Sequence, residues 1–164
     1  GTEVSTDGRE ASFTDGSSTS ASIIATIPVH RLPDIVAASG IANGKPWVSV
    51  DRATLETSTA NVFAIGDVNV VPSGDFAIPK AGVFAAGQGT KVGEVIASRI
   101  NDSDAPEPYD GVGFCFMAYS GGRAATVGGE FLADGGPDTV LTDPSVAGNR
   151  SKERFERDWR SFKI

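Results

Sequence analysis

The run Val62-Phe63-Ala64-Ile65-Gly66-Asp67 constrains the fold of this chain more than any other feature. Its apolar residues stop abruptly at a glycine and an aspartate, a pattern typical of a parallel-sheet strand whose carboxyl end carries a functional group. A loop over residues 68–78 follows, and Pro79 suits the first turn of a helix. Apolar side chains then recur at helical spacing to about Asn101, which predicts a long helix. A strand followed by such a helix favours an α/β architecture.

Turn signals predict the elements that precede this run. Asp-Gly pairs separate strand-like stretches that we expect to form an antiparallel meander, at residues 3–5, 9–14 and 20–27. Residues 22–27 are rich in isoleucine and predict a buried strand that stops at Pro28. A short helix is predicted over residues 34–39, ending at Gly40, and a short strand over 47–50.

The carboxyl-terminal part predicts a hairpin and a helix. Residues 113–120 and 123–131 are the expected strands, joined across Gly121-Gly122. Residues 135–148 are expected to be a loop. Residues 151–162 predict an amphipathic docking helix with Ser151 as its N-cap. Its apolar face is expected to hold three aromatic side chains, Phe155, Trp159 and Phe162.

Charge and hydropathy exclude several functional classes. Fourteen Lys and Arg stand against 21 Asp and Glu, spread along the chain, which argues against a nucleic-acid or anionic-membrane surface. The apolar stretches fall far short of the roughly 20 residues that span a bilayer, so no transmembrane segment is expected. The first 15 residues lack the pattern of a secretory signal. A cytoplasmic location is the expectation.

Single copies of two reactive residue types limit the chemistry that this chain can supply alone. Cys115 is the only cysteine, so neither an intrachain disulfide nor a cysteine metal cluster can form. His30 is the only histidine, which argues against a zinc site or a Ser-His-Asp triad. No Gly-x-Gly-x-x-Gly turn links a strand to a helix, and Gly87-Gln88-Gly89 lies inside the predicted long helix. No metal site and no free-standing dinucleotide site are predicted.

Two motifs resemble the flavin-binding half of known flavoproteins. Residues 54–57 and 61–68 are similar to the second flavin motif of FAD-dependent pyridine nucleotide-disulfide oxidoreductases. Residues 78–85 resemble the Pro-Lys-Ala-Gly helix start of sulfide:quinone oxidoreductases and of the flavocytochrome c sulfide dehydrogenase flavoprotein. Further similarities are found at residues 27–30, 47–51 and 109–115, so the resemblance covers nearly the whole chain.

The resemblance implies the carboxyl-terminal portion of a two-dinucleotide-domain flavoprotein, an α/β remnant with an α+β tail. Residues 1–45 would end the NAD(P)-like domain, 46–105 would form the carboxyl-terminal half of the FAD domain, and 106–164 would be the terminal hairpin and docking helix. The amino-terminal FAD motif and most of the NAD-like domain would precede this chain. The intact protein would bind FAD, with NAD(P) as a further cofactor. This portion alone is expected to bind neither and to be inactive.

The same resemblance assigns expected roles to two segments. Gly66, Asp67 and Val68 would approach the flavin, with the Asp67 carboxylate accepting a hydrogen bond from a ribityl hydroxyl. The helix start at Pro79, Lys80, Ala81 and Gly82 would direct its N–H groups and dipole at the flavin pyrimidine edge. Two alternatives remain open: Asp67 as a cap of a strand-to-loop turn, and Lys80 as a solvated helix-start lysine.

For Cys115, the resemblance implies a redox cysteine beside the flavin that pairs with an upstream cysteine. Sulfide would attack this disulfide, and the electrons would pass to the flavin and then to a quinone or cytochrome. The alternative is a buried apolar cysteine between Phe114 and Phe116.

Two other functions remain open at the level of the sequence. One is an NAD(P)H-dependent flavoprotein similar to type II NADH dehydrogenases, in which Cys115 has no redox role. The other is a non-catalytic assembly or dimerisation module. An exposed sheet edge would favour association, so a homo-oligomer is expected. In the intact protein, a peripheral position at the membrane is compatible with the family resemblance.

Overall fold

The computed structural model describes residues 2–161 and divides into two units, Gly1–Arg31 and Leu32–Ile164. The first unit is an antiparallel meander of three strands in the order β1-β2-β3, which are Thr2–Val4, Glu10–Phe13 and Ser18–Ser20. Gly8 and Gly16 adopt φ values of 71° and 85° in its turns, where glycine carries little steric cost. The predicted meander at the Asp-Gly pairs is confirmed.

The predicted buried strand over residues 22–27 is wrong. The last hydrogen bond of the meander runs from the Ala21 N–H to the Arg9 carbonyl. Residues 22–27 form no ladder, and Ile23 and Ile27 are 85% and 88% exposed. Apolar side chains favour burial of a strand, but they do not supply its backbone hydrogen bonds. A strand also needs a neighbouring backbone to pair with, and these residues have none in the described chain.

The second unit begins with helix α1, Asp34–Ala38, which ends at Ser39 and Gly40 as predicted. Gly40 has a φ of 80°, the left-handed conformation common after a helix. Strand β4, Val48–Ser49, lies within the predicted stretch and pairs in parallel with β5, Asn69–Val70. The parallel arrangement expected of the fold is therefore present in a short two-stranded ladder.

The predicted parallel strand over residues 62–67 is corrected to one arm of a short hairpin. Asn61 has a φ of 61° and turns the chain back on itself. The Thr57 N–H then donates to the Val62 carbonyl at 2.8 Å, and the Ala64 N–H donates to the Leu55 carbonyl at 3.2 Å. A 3₁₀ turn over Gly66–Val68 redirects the chain again, so parallel pairing starts only at β5.

The long helix, α2, spans Gly82–Ile100. The predicted end near Asn101 is confirmed, because the Asn101 N–H closes the last turn on the Ala97 carbonyl. The predicted start near Pro79 is three residues early, since Ala81 is extended with φ −149° and ψ 152°. The predicted loop before the helix also contains a small hairpin of β6, Pro72–Ser73, and β7, Phe76–Ala77.

The terminal sheet has the antiparallel order β10-β9-β8, with β8 at Val112–Tyr119 and β9 at Arg123–Glu130. Gly121 and Gly122, with φ values of 72° and 66°, form the turn of the predicted hairpin. Strand β10, Asp138–Leu141, lies in the stretch predicted as a loop. This strand forms because its backbone pairs with β9. Its neighbourhood is rich in glycine and other residues that are depleted in strands, so the sequence did not predict it.

Helix α3 spans Val146–Ser161 and begins five residues before its predicted start. The Ser145 hydroxyl accepts the Gly148 N–H at 3.0 Å, so Ser145 and not Ser151 provides the side-chain cap. The Ser145 backbone also pairs with Ala124 of β9, which fixes the helix start against the sheet. Phe162, expected on the apolar face of this helix, lies outside the described residues.

Two apolar clusters form the core of the second unit. The first joins α2 to the segments on either side of it, through Leu55, Val71, Ile78, Phe84, Tyr109 and Leu132. The second packs α1 and β4 against the hairpin, through Leu32, Ala42, Val48 and Ala64. Val50 packs against both clusters. This mixture of small sheets and helices agrees with the predicted α/β fragment.

Strand β8 lies close against helix α2 at Gly113. A Cβ atom built there lies 2.2 Å from the ring of Phe84, which is 1% exposed. Gly113→Ala is therefore expected to lower the free energy of unfolding by about 1 to 3 kcal/mol through overpacking. Gly93→Ala on α2, where a Cβ meets nothing within 4 Å, is the control and should raise it by about 0.5 to 1 kcal/mol. Equal effects of the two variants in urea denaturation would contradict the close contact.

An ion pair fixes the end of α2 to the short hairpin. The Arg99 guanidinium donates to both Glu56 carboxylate oxygens, at 2.9 and 2.6 Å, and Glu56 also accepts the Asn61 N–H at 2.6 Å. Hydrogen bonding by Arg99, followed by that of Asn61, lowers the pKa of Glu56 from its ordinary 4.5 to about 2.

This pair predicts a pH dependence of stability. A lowered folded-state pKa gives a contribution that is complete above pH 4.5 and is lost as the pH falls toward 2. Glu56→Gln should therefore lose stability at pH 7 and show a flatter decline of melting temperature below pH 4.5. Glu153→Gln on α3 is the matched control and should run parallel to the wild type. A Glu56→Gln profile that also runs parallel would exclude the pair as a source of acid sensitivity.

Candidate functional site

The 3₁₀ turn at Gly66–Val68 carries the predicted carboxylate. Gly66 has a φ of 69°, which glycine adopts readily, and the Asn69 N–H closes the turn on the Gly66 carbonyl. Asp67 lies exposed within the turn. Across residues 2–161, the Asp67 carboxylate makes neither a hydrogen bond nor an ion pair, so its oxygens are available to an external donor.

A buried amide pair holds this turn from inside the protein. Gln88 of α2 and Asn69 are 3% and 5% exposed. The Gln88 Oε1 accepts the Gly66 N–H at 2.6 Å and the Asn69 side-chain N–H at 3.0 Å. Asn69 also donates to the Ala64 carbonyl at 2.8 Å. Polar groups at this depth stay stable only when they are paired, and here each amide is anchored to the turn.

Lys80 holds the same turn from its outer side. The Lys80 ammonium donates to the Asp67 carbonyl at 2.6 Å and to the Asn69 carbonyl at 2.8 Å. It also lies 3.6 Å from the centroid of the Trp47 ring, a cation–π contact. Partial burial lowers the pKa of Lys80, and the nearby Asp67 charge opposes that shift. These contacts make Lys80 part of the scaffold of the turn. A direct role toward a cofactor stays a prediction.

The start of α2 carries no side-chain cap. Ala81 occupies the N-cap position, and the first turn has no acidic residue. The N–H groups of Phe84 and Ala85 donate to the Ala81 carbonyl, whereas those of Gly82 and Val83 find no acceptor in the described part of the chain. Free N–H groups and the positive end of the helix dipole together favour a carbonyl or anionic oxygen at this position.

A crevice of about 10 Å³ joins the turn to the helix start and has room for one water molecule. The predicted site residues that line it are Gly66, Asp67, Pro79, Lys80 and Ala81. Val68 is turned away from it and packs against the second apolar cluster. The structure therefore brings together two segments that lie more than ten positions apart in the sequence.

An open groove of about 700 Å³ lies on the other side of the helix start. Its walls come from the beginning of α2, from β8 and from α3. Cys115 lines this groove together with Ala81 and Gly82, and Ala81 borders both the groove and the crevice. Cys115 is half-buried and its thiol is free. The predicted cysteine thus shares a surface with the predicted helix start.

Four aromatic side chains line the groove, from β8 and from α3. Phe155 of α3 packs at 5.3 Å against Phe114 and at 5.8 Å against Phe116, measured between ring centroids. Trp159 lies 5.9 Å from Phe155 and remains 49% exposed. Phe155 therefore docks α3 on the sheet as expected for an amphipathic helix, while Trp159 leaves one edge of the groove apolar and open to solvent.

Sequence reasoning missed Gln88, Asn69 and Trp47, which support the turn and the lysine. Gln88 had one available signal, because it follows Phe84 by four positions and so shares its buried helical face. A polar residue on such a face requires buried partners. The partners of Asn69 and Trp47 come from distant segments, and no local pattern indicated them.

Comparison with known proteins gives a likeness of fold. No family model matches the chain, and no curated protein matches it. Among solved structures, the chain is similar to the sulfide:quinone oxidoreductase from the hyperthermophilic bacterium Aquifex aeolicus, with a TM-score of 0.66 and 21% sequence identity. The match covers 90% of this chain and 36% of that chain. This chain therefore shares the fold of part of that protein and spans about a third of its length.

Within residues 2–161, no helix combines the length and apolar content needed to cross a bilayer. In the same residues, no cluster of His, Cys, Asp or Glu side chains is arranged to hold a metal ion.

The clamp formed by Lys80 predicts a measurable effect on the turn. Lys80→Met leaves the Asp67 and Asn69 carbonyls without their ammonium donor and should lower the free energy of unfolding by about 1 kcal/mol. It should also change the emission of Trp47, which can be measured alone in a Trp159→Phe background. Lys45→Met is the control, because within residues 2–161 the Lys45 ammonium contacts the Ser49 hydroxyl alone, at 3.2 Å. An unchanged Trp47 spectrum in Lys80→Met would contradict the clamp.

Proposed function

We propose that this chain forms the flavin-facing part of an FAD-dependent oxidoreductase whose remaining polypeptide lies outside these 164 residues. The observation that carries the proposal is the Asp67 carboxylate, which has no partner among residues 2–161 and lies beside the uncapped start of α2. The fold likeness to a sulfide:quinone oxidoreductase, of which the match covers 36%, supports a larger parent protein.

The available groups at the site fit a flavin. A carboxylate without a partner accepts a hydrogen bond from a ribityl hydroxyl, and free N–H groups at a helix start suit the carbonyl oxygens of the pyrimidine edge. Gly66, Asp67 and Val68 would hold one part of the cofactor. Pro79, Lys80, Ala81 and Gly82 would hold the other. A bound flavin supplies two-electron transfer, and the positive helix end would favour its reduced, anionic form.

Cys115 would contribute the sulfur chemistry, paired with a cysteine from outside this chain. Hydrosulfide attacks such a disulfide, forms a persulfide on one cysteine and releases the other as a thiolate. The released thiolate would pass the electron pair gained from sulfide to the flavin, and the electrons would then leave to a quinone or cytochrome. The position of Cys115 on the same groove as Ala81 and Gly82 supports this assignment.

The competing functions differ in what they require of Cys115. An NAD(P)H-dependent flavoprotein needs no thiol, and its Cys115 would be a half-buried apolar residue between Phe114 and Phe116. An assembly module needs no flavin at all. The electron donor and the presence of bound flavin therefore separate the three functions.

The decisive experiment uses the intact protein that contains this chain. Asp67→Ala should weaken FAD binding about tenfold to a hundredfold, because a charge-assisted hydrogen bond contributes about 1.5 to 3 kcal/mol. Asp75→Ala, which removes another exposed carboxylate from the nearby β6–β7 turn, is the matched control and should leave the affinity unchanged. Purification without flavin, together with no binding of added FAD, would exclude the proposal.

Anaerobic titration of the flavin absorbance then identifies the donor. We expect sulfide to bleach the flavin, and we expect Cys115→Ser to abolish that bleaching. Bleaching by NADH alone, unchanged in Cys115→Ser, would instead assign an NADH dehydrogenase-like function with a structural cysteine.

A further inference from the structure

Gln88 is a buried amide whose side-chain oxygen bonds two residues of the segment that carries Asp67. It lies in the middle of α2, between Phe84 in the core and the exposed residue Thr90. Its carbonyl accepts two hydrogen bonds, from the Gly66 N–H and from Asn69, at 2.6 and 3.0 Å. Packing alone does not require a polar residue here, because an apolar side chain of similar length would fill the same space.

The orientation of this amide follows from its neighbours. Gly66 N–H and the Asn69 side-chain amide are both donors, so the Gln88 oxygen must face them. Gln88 also interacts with the buried Tyr109 side chain, whose hydroxyl lies 3.5 Å from the Phe84 carbonyl. The Gly66 N–H and the Asn69 amide therefore leave the Gln88 amide one favourable orientation, with its oxygen toward the turn. Gln88 is thereby a rigid reference point for the turn.

The turn needs such a reference point at Gly66. Glycine samples positive and negative φ almost equally, so its observed φ of 69° is not fixed by its own chemistry. Lys80 restrains the carbonyls of Asp67 and Asn69, which come after this residue. In the described chain, Gln88 provides the hydrogen bond to the Gly66 N–H, which precedes the carboxylate directly.

We infer that Gln88 is a positioning residue that fixes the Gly66–Val68 turn and thereby the direction of the Asp67 carboxylate relative to the start of α2. Because Gln88 belongs to α2, one rigid helix sets both the free N–H groups at its start and the carboxylate beside them. The expected effect of Gln88 on flavin binding rests on the proposed function. Its expected effect on the conformation of the turn is independent of that function.

Three variants separate positioning from stability. Gln88→Met keeps the length of the side chain and removes the acceptor. Gln88→Glu keeps an acceptor for both donors and places a charge in a buried position, which lowers stability. Thr90→Val on the same helix removes only an exposed hydrogen bond to the Ala86 carbonyl and is the matched control.

The first measurement is amide hydrogen exchange and backbone chemical shifts of the 164-residue chain by NMR, without flavin. In Gln88→Met, the Gly66 amide should exchange at least about tenfold faster, and the Asp67 resonances should shift. Gln88→Glu should keep both near their wild-type values although its melting temperature falls. Thr90→Val should change neither. Wild-type Gly66 exchange and Asp67 shifts in Gln88→Met would overturn the inference.

The second measurement is the FAD dissociation constant of the intact protein, at a temperature where every variant is folded. We expect Gln88→Met to weaken binding about tenfold and Gln88→Glu to remain close to the wild type. A role in stability alone would lower binding in neither variant, so unchanged affinity in Gln88→Met would overturn the link to the cofactor. If the wild type binds no FAD, the proposed function fails, and the NMR measurement still decides whether Gln88 fixes the turn.

Discussion

The packing of Phe84 against its surroundings is the contact on which the second unit depends. Its ring is almost fully buried in the first apolar cluster and meets Phe131 edge-on at 4.9 Å. It also occupies the space that a side chain at position 113 would need. Removing a core aromatic of this kind costs about 3 to 5 kcal/mol in general. Through this one side chain, α2 joins the chain before it to the terminal sheet after it.

A layer of polar contacts is built on that apolar anchor. One helical turn after Phe84, Gln88 reaches the 3₁₀ turn, and ahead of the helix Lys80 reaches the same turn from outside. The apolar contact supplies most of the binding energy between the segments, because hydrogen bonds add little net stability. The polar contacts instead fix the orientation of the 3₁₀ turn. They set where one carboxylate lies relative to the uncapped helix start.

Tertiary contacts bring the two predicted segments of the candidate site together. The helix start and the Gly-Asp pair are adjacent in the structure, where Lys80 and Gln88 both bind the 3₁₀ turn. Their adjacency was expected from the family resemblance and not from the residues alone. Lys80 was expected either at the flavin edge or as a solvated helix-start lysine; its ammonium is held by two backbone carbonyls, and its role toward a cofactor stays a prediction. The division of the chain at residues 45 and 105 stays a prediction.

The sequence by itself determined the features that depend on local physics. The Asp-Gly turns, the end of α1 at Gly40, the end of α2 near Asn101 and the β8–β9 hairpin all follow from backbone preferences and short-range periodicity. Only the tertiary structure decided the features that need a distant partner. Residues 22–27 are apolar but unpaired, β10 exists because β9 offers an edge, and Gln88 is satisfied by groups about twenty positions away. Hydrogen bonds between distant backbones and buried amides leave no periodic trace in a sequence, so only the folded chain reveals them.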